Sequence, residues 1–345
     1  MAELFDKTVT MENLRAAHRN ARKDKSHYKE VQMVDSNPDY YLKQIQDMLI
    51  NHTYTLSVED YTISTIFDKG KERELWKLSY FPHRIIQWAF MLYLEPIFMD
   101  SFTDFTCASI KNRGIHYALE KTKKILEDEE NSKYCLKVDI QQYYHSIDHA
   151  ILKNKLRKII DDVEILYYLD LIIDSKSPKG IPIGSYLSQY LANFYLADLD
   201  KWLYNQNRRI VRYMDDIIIF DNLKENLHVI KKEMQENLKN KLKLNLKQNY
   251  SIFPSNVRGV DFLGYVIYSD KIKLRKTTAK NLKRKMIKMH NKVLDYSDLC
   301  CYNSYMGWLS YCTDKGLMYK FLYPIKHRIK RGDIYDRQWN CQREC

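Results

Sequence analysis

The chain has 345 residues, with 56 Lys+Arg against 44 Asp+Glu and a formal net charge of +12. The excess is local: residues 271–345 carry 18 basic and 6 acidic side chains, whereas 1–270 carry 38 of each. A hydrophobic fraction of 45% excludes disorder throughout, and 9 Gly with 7 Pro exclude collagen-like or low-complexity architecture. A basic quarter on a balanced body predicts one lobe suited to polyanions. No apolar run approaches the roughly 18 residues of a membrane span. The charged opening residues predict no secretory leader, and the seven Cys predict reduced cytoplasmic thiols rather than a disulfide framework.

In chain order, the stretch up to Asn51 reads as helix, with Leu42, Ile45, Met48 and Leu49 at helical spacing behind an Asn37-Pro38 start. Residues 61–80 alternate like two strands around an Asp68-Lys69-Gly70 turn. A strongly apolar helix is predicted next, opened by Pro82 and stopped before Pro96. Residues 114–130 form an amphipathic helix, and 133–140 a short apolar strand that reaches a carboxylate at Asp139. Residues 179–204 read as a Gly-led turn into one long helix, with Leu187, Leu191, Phe194 and Tyr195 on one face. Residues 208–220 form a hairpin around Met214-Asp215-Asp216. An amphipathic helix with Leu227, Ile230, Met234 and Leu238 inward and a hairpin over 261–274 complete the body. Beyond them lies a basic helical segment, with Leu274, Leu282, Met286 and Met289 as its apolar side and Arg275, Lys276, Lys280, Lys283, Arg284, Lys285 and Lys288 as cations. Helices interspersed with hairpins predict an α+β fold, divided as a helical extension (1–60), a central part (61–270) and a basic helical part (271–345).

The acids carry the chemistry. Asp215 and Asp216 lie between apolar strand halves, where desolvated like charges raise one another's pKa. A divalent cation relieves that repulsion, and oxygen-only ligation suits Mg²⁺ or Mn²⁺. Two ions about 4 Å apart would stabilise both oxygens of an in-line phosphoryl transfer. A plain Asp turn is the alternative for this pair taken alone.

Four motifs in order over residues 71–268 resemble the reverse transcriptases. Tyr213-Met214-Asp215-Asp216 is similar to their catalytic hairpin, and LKVDIQQYYHSIDH around Asp139 to their first-aspartate motif. GIPIGSYLSQ falls where the family has its G-x-x-x-S element, and Phe262-Leu263-Gly264 where it has a primer-holding hairpin. The resemblance implies a right-hand polymerase, with fingers and palm within 61–270 and a basic α-helical thumb over 271–345. It implies metal at Asp139, Asp215, Asp216 and the carbonyl of Ile140, and two Mg²⁺ ions as cofactors. Tyr144 lands on the aromatic gate that excludes a 2′-hydroxyl by clash; Tyr143 is the adjacent alternative. Lys71 and Arg73, two apart on a strand and so on one face, resemble the grip on the triphosphate; a solvated hairpin tip is the other reading. Lys111, Arg113 and Gly114, before a helix start, suit template phosphate. Lys247 sits near a family lysine that protonates pyrophosphate, with an ordinary surface lysine as the alternative.

One departure narrows the family. Where most reverse transcriptases have Gln-Gly and Ser-Pro, this chain has Ile183-Gly184 and Ser188-Gln189. The pattern resembles the enzymes of diversity-generating retroelements, which copy a template RNA with errors at its adenines; a retron or phage-defence reverse transcriptase, or a catalytically idle RNA-binding relative, is the alternative. An aliphatic Ile183 cannot make the polar contact to the nascent base pair, which implies low fidelity; core packing of Ile183 is the alternative. The resemblance further implies a template RNA with a cDNA primer, deoxynucleoside triphosphates and a small basic accessory protein as partners. Lys283, Arg284 and Lys285 would lie along the template–primer backbone, with affinity falling steeply in salt.

Overall fold

Side-chain caps fix several of the helix starts. In the computed structural model, which describes residues 4–68, 71–176 and 178–330, α1 (Leu4–Thr8) leads to α2 (Met11–Ala21), whose cap Thr10 accepts the Asn13 amide at 3.2 Å. α3 (Lys29–Ser36) is followed by α4 (Pro38–Ile50), which starts at Asn37-Pro38 as expected, Asn37 accepting from the Tyr40 amide. β1 (Tyr61–Asp68) and β2 (Lys71–Leu78) pair antiparallel, with Asp68 opposite Lys71 and Tyr61 opposite Leu78. α5 (Ile85–Met99), α6 (Ile115–Glu127) and β3 (Tyr134–Asp139) follow. Then come α7 (Tyr143–Ser146), α8 (His149–Leu156), α9 (Val163–Asp174), α10 (Tyr186–Tyr195) and α11 (Ala197–Gln206). β4 (Ile210–Tyr213), β5 (Asp216–Asp221), α12 (Lys224–Leu242), β6 (Ser251–Pro254) and the single turn α13 (Ser255–Arg258) come next. The chain continues through β7 (Val260–Phe262), β8 (Tyr265–Ile267), β9 (Ile272–Leu274), α14 (Lys276–His290), α15 (Tyr296–Ser310) and α16 (Tyr323–Lys330). The mixture of helices and mainly antiparallel strands is α+β; the larger sheet runs β4-β5-β3-β6.

The chain divides into two compact units. One holds residues up to Gly114, Lys137–Ile218 and His228–Tyr250; the other holds Ile115–Leu136, Ile219–Leu227 and the chain from Ser251 onward. In the first, α5 is buried on most of its surface, with Ile85, Ile86, Ala89, Phe90, Met91 and Leu94 at 0% exposure. That explains why its sequence is apolar all round. α2 lies against it through Leu14, Ala17 and Ala21, and Asn13 Nδ2 donates to the Ala89 carbonyl at 3.1 Å. α10 packs on it too, Tyr190 donating to Glu95 at 2.8 Å. In the second unit, β7, β8 and β9 form an antiparallel sheet, and the Tyr265 ring stacks on Trp308 at 5.2 Å. Gly264 turns that hairpin at φ +89°, and a side chain there would meet the Trp308 ring at 2.5 and 2.7 Å. Leu282, Met286 and Met289 of α14 are buried, and Lys283, Arg284 and Lys285 are exposed.

Three expectations need correction. The apolar helix starts at Ile85, after a wider turn over Tyr80–Arg84, and continues through Pro96 to Met99. A proline in the last turn gives up one amide bond, while Phe98, packed on Tyr190 and Phe194, keeps the turn buried. The single long helix after Gly180 is two, broken at Leu196. There Lys155 Nζ takes the Tyr195 carbonyl at 2.9 Å, and Tyr195 Oη is tied to the Leu242 carbonyl at 2.7 Å. Finally, the last hairpin is a three-stranded sheet, and Leu274 lies on β9 rather than on the basic helix.

Candidate active site

Asp139 ends β3, and Asp215 sits in the turn between β4 and β5, so their meeting depends on the main chain. The amide of Ile140 donates to the Asp215 carbonyl at 3.2 Å. On the other side, the 245–247 segment runs along 139–141: Gln141 N donates to Asn245 O, and Lys247 N to Asp139 O, both at 2.8 Å. That places Lys247 Nζ 2.5 Å from Asp139 Oδ2. Asp216 begins β5 beside them.

The electrostatics of this corner are unresolved by the protein's own groups. Burial first, and then the charge of Asp139, push the Asp215 carboxyl up to about 6. Asp139 Oδ1 is buried with no hydrogen-bond partner, although its other oxygen holds Lys247. Among the described residues no three His, Cys, Asp or Glu side chains already converge as a cage. Two close acids, one with an orphaned buried oxygen, still fit a hard divalent cation that completes its shell from substrate phosphates and water. Asp139, Asp215 and Asp216 would hold it.

The aromatic pair after Asp139 separates cleanly. Tyr143 is buried and its hydroxyl donates to the Ala192 carbonyl, so its ring is core. Tyr144 is partly exposed, and its hydroxyl reaches Met214 Sδ at 3.6 Å. It therefore lies against the Tyr-Met-Asp-Asp turn. The Ile183 carbonyl accepts from Trp76 N at 3.0 Å. Gly184 follows at φ +123°, where a side chain would press on Leu75 and the Trp76 carbonyl. Gln189 is half-buried on α10.

The sequence model of the family described as "Reverse transcriptase (RNA-dependent DNA polymerase)" matches residues 67–267. The chain belongs to the reverse transcriptase family. It is 23% identical over 227 residues to Protein YkfC of Escherichia coli, a match covering 53% of this chain and 60% of that one. It is 25% identical over 260 residues to the group II intron-encoded protein LtrA of Lactococcus lactis, covering 54% and 43%. It is also 25% identical over 226 residues to the Retron Ec73 reverse transcriptase of Escherichia coli, covering 60% and 68%. The matched part thus spans less than two thirds of YkfC and of LtrA. Among solved structures, apo telomerase from Candida tropicalis aligns with a TM-score of 0.48 at 13% identity, over 65% of this chain and 49% of that one.

The remaining expected site residues of this reverse transcriptase family member are less concentrated. Lys71 and Arg73 lie on β2 opposite Asp68 and Ile66, and their side chains fall outside the described residues. Lys111 is exposed, but Arg113 Nη1 turns to the carbonyls of Thr103 (2.6 Å) and Thr106 (3.3 Å), fastening a loop. Gly114 immediately precedes α6. Phe262 is fully buried and Leu263 turns at φ +50°, so Phe262 shapes the hairpin from within. No helix among the described residues is long and apolar enough to cross a membrane.

Sequence reasoning missed a cavity of about 710 Å³ in the first unit. Gln87, 4% exposed, lines it with an amide nitrogen that has no partner, while its oxygen accepts from Ser185 Oγ at 2.7 Å. Trp88 and Tyr186 stack at 4.4 Å beside it, and Lys25, Lys29, Lys77 and Arg84 also line it. The contributors come from three distant stretches of chain, which no local pattern links.

Proposed function

We propose that this chain is an RNA-directed DNA polymerase that copies a template RNA into cDNA, with Asp139, Asp215 and Asp216 as its metal-holding acids. The observation that carries this reading is the pairing of Asp139, whose buried Oδ1 lacks a partner, with an Asp215 whose carboxyl is pushed up to about 6, inside a reverse transcriptase match. Mg²⁺ or Mn²⁺, when bound, supplies the charge neutralisation that in-line nucleotidyl transfer needs. Lys247 Nζ donates to Asp139 Oδ2, where a general acid for the leaving pyrophosphate would act. Tyr144 is the ring left free of the core to bar a ribose 2′-hydroxyl, which favours deoxynucleotides. The cavity with the Trp88–Tyr186 stack, lined by four cations against the two acids Glu30 and Asp60, suits an unpaired stretch of template, through stacking and a net basic lining. In this reading residues 61–270 are fingers and palm, 271–345 is the thumb, and 1–60 is a helical extension. Primer extension on an RNA template with deoxynucleotides and Mg²⁺ tests it; a product whose sequence does not follow the template would sink it.

The finer reading is an error-prone enzyme of a diversity-generating retroelement, working with a small basic accessory protein. Ile183 supports it, since an aliphatic side chain there offers no polar check on the nascent pair. Ile183→Gln is expected to reduce misincorporation opposite template adenine, read by sequencing the cDNA; an unchanged error spectrum argues against the role. The competing reading is a retron or phage-defence reverse transcriptase, favoured by the match to 68% of the Retron Ec73 enzyme. Wild-type cDNA without clustered errors at adenines decides for it.

The exposed cations of α14 provide a separate check. Neutralising Lys283, Arg284 and Lys285 together is expected to weaken template–primer binding and shorten products, while single-nucleotide addition on saturating template stays near wild type. The salt dependence of binding should flatten by roughly 2 to 3 in log–log slope, at about 0.9 per lost phosphate contact. Loss of chemistry at saturation would contradict this division of labour.

A further inference from the structure

Behind the adjacent acids lies a buried ion pair that none of the roles above uses. Arg212 of β4 and Asp200 of α11 are both at 0% exposure. Arg212 Nε donates to Asp200 Oδ1 at 2.7 Å and Nη2 donates to Oδ2, while Thr106 Oγ1 adds a donor to Oδ2 at 2.9 Å. Burial opposes the Arg212 charge, and Asp200 outweighs it, holding the guanidinium pKa above its ordinary value. The bidentate grip fixes where the third nitrogen points. Nη1 donates to Asn193 Oδ1 at 3.1 Å and to the Met214 carbonyl at 3.0 Å.

Met214 is the tip of the turn that presents Asp215 and Asp216, and its φ is +55°. A non-glycine residue occupies that region only where its surroundings over-determine it. The strand below is anchored as well: Arg212 N donates to Phe105 O, and Cys107 N to Arg212 O, both at 2.9 Å. An apolar pair of similar volume would fill the core in place of the ion pair. It would offer no donor to Met214 O.

We propose that Arg212 is a positioning residue that holds the Met214 carbonyl, and so the left-handed turn, in the shape that sets Asp215 beside Asp139 for metal. This rests on the metal-dependent reading of these acids given above. Supports of this kind, one layer behind the ligands, typically change metal affinity or activity by 10–100-fold when lost.

The test pairs Arg212→Met with Asp200→Leu, which removes both charges together, and uses Arg212→Lys as a second variant that keeps a cation against Asp200 without the fixed fork. Mn²⁺ binding to the full chain without nucleotide is followed by electron paramagnetic resonance, with folding checked by urea midpoint. Mg²⁺ for half-maximal primer extension is read alongside. We expect folded variants to bind Mn²⁺ about 10–100-fold more weakly and to need correspondingly more Mg²⁺, with little change in the deoxynucleotide KM. If the double variant does not fold, Arg212→Lys carries the same expectation. A folded variant that binds Mn²⁺ within about two-fold of wild type overturns the proposal and leaves Arg212 a plain core ion pair. Wild-type protein that neither binds Mn²⁺ nor extends a primer would instead overturn the metal-dependent reading itself.

Discussion

Asp200→Leu on its own is expected to lower stability by about 3–5 kcal/mol, the cost of leaving one partner of a buried ion pair uncompensated. Arg212 cannot escape by deprotonating, and at 0% exposure it cannot reach water. Its remaining acceptors are neutral, the Asn193 side-chain oxygen and the Met214 carbonyl, and Thr106 loses its bond to Asp200 as well. The contrast with a surface pair sets the scale. Lys43 and Asp47 approach to 3.0 Å, but their side chains are 58% and 51% exposed, and such pairs are worth about 0.3–0.5 kcal/mol. Urea unfolding of Asp200→Leu beside Asp47→Asn makes the comparison. A shift for Asp200→Leu no larger than that of the surface control would show the buried pair to be energetically idle.

Asp215→Asn is expected to reduce nucleotide addition by about 10²–10³-fold, the scale on which removal of one preorganised electrostatic group acts. Its effect on folding should have the opposite sign. Burial and the neighbouring Asp139 charge already disfavour ionised Asp215, pushing its carboxyl up to about 6, so at neutral pH the neutral amide relieves a strain that the wild-type fold carries. A urea midpoint equal to or above wild type, together with lost turnover and retained RNA binding, is the pattern of a site built for function at some expense of stability. Lost turnover accompanied by early unfolding would make Asp215 a structural residue instead.

Much of this fold and site is legible in the sequence. The hairpin around Met214-Asp215-Asp216, the strand ending in Asp139 and the buried faces of α10, α12 and α14 follow from periodicity, because each is a local pattern that one buried face imposes. Capping at Asn37-Pro38 was legible for the same reason. What escaped depends on partners remote in sequence. Arg212 reads as one more polar residue in an apolar strand until Asp200 and Asn193 are placed beside it. The break at Leu196 depends on Lys155 capturing a carbonyl 40 residues away. Pro96 looks like a stop, yet packing around Phe98 outweighs one lost amide bond. Which of Tyr143 and Tyr144 packs into the core does not follow from spacing, because it turns on which hydroxyl finds a buried acceptor.

The most direct measurement is extension of a labelled primer on a defined RNA template by the wild-type chain, with EDTA and then excess Mg²⁺ added in sequence. We expect cDNA complementary to the template, built from deoxynucleotides in preference to ribonucleotides, stopped by EDTA and restored by Mg²⁺. A primer left unextended in Mg²⁺ or Mn²⁺, or lengthened without regard to the template or in the presence of EDTA, would contradict this expectation.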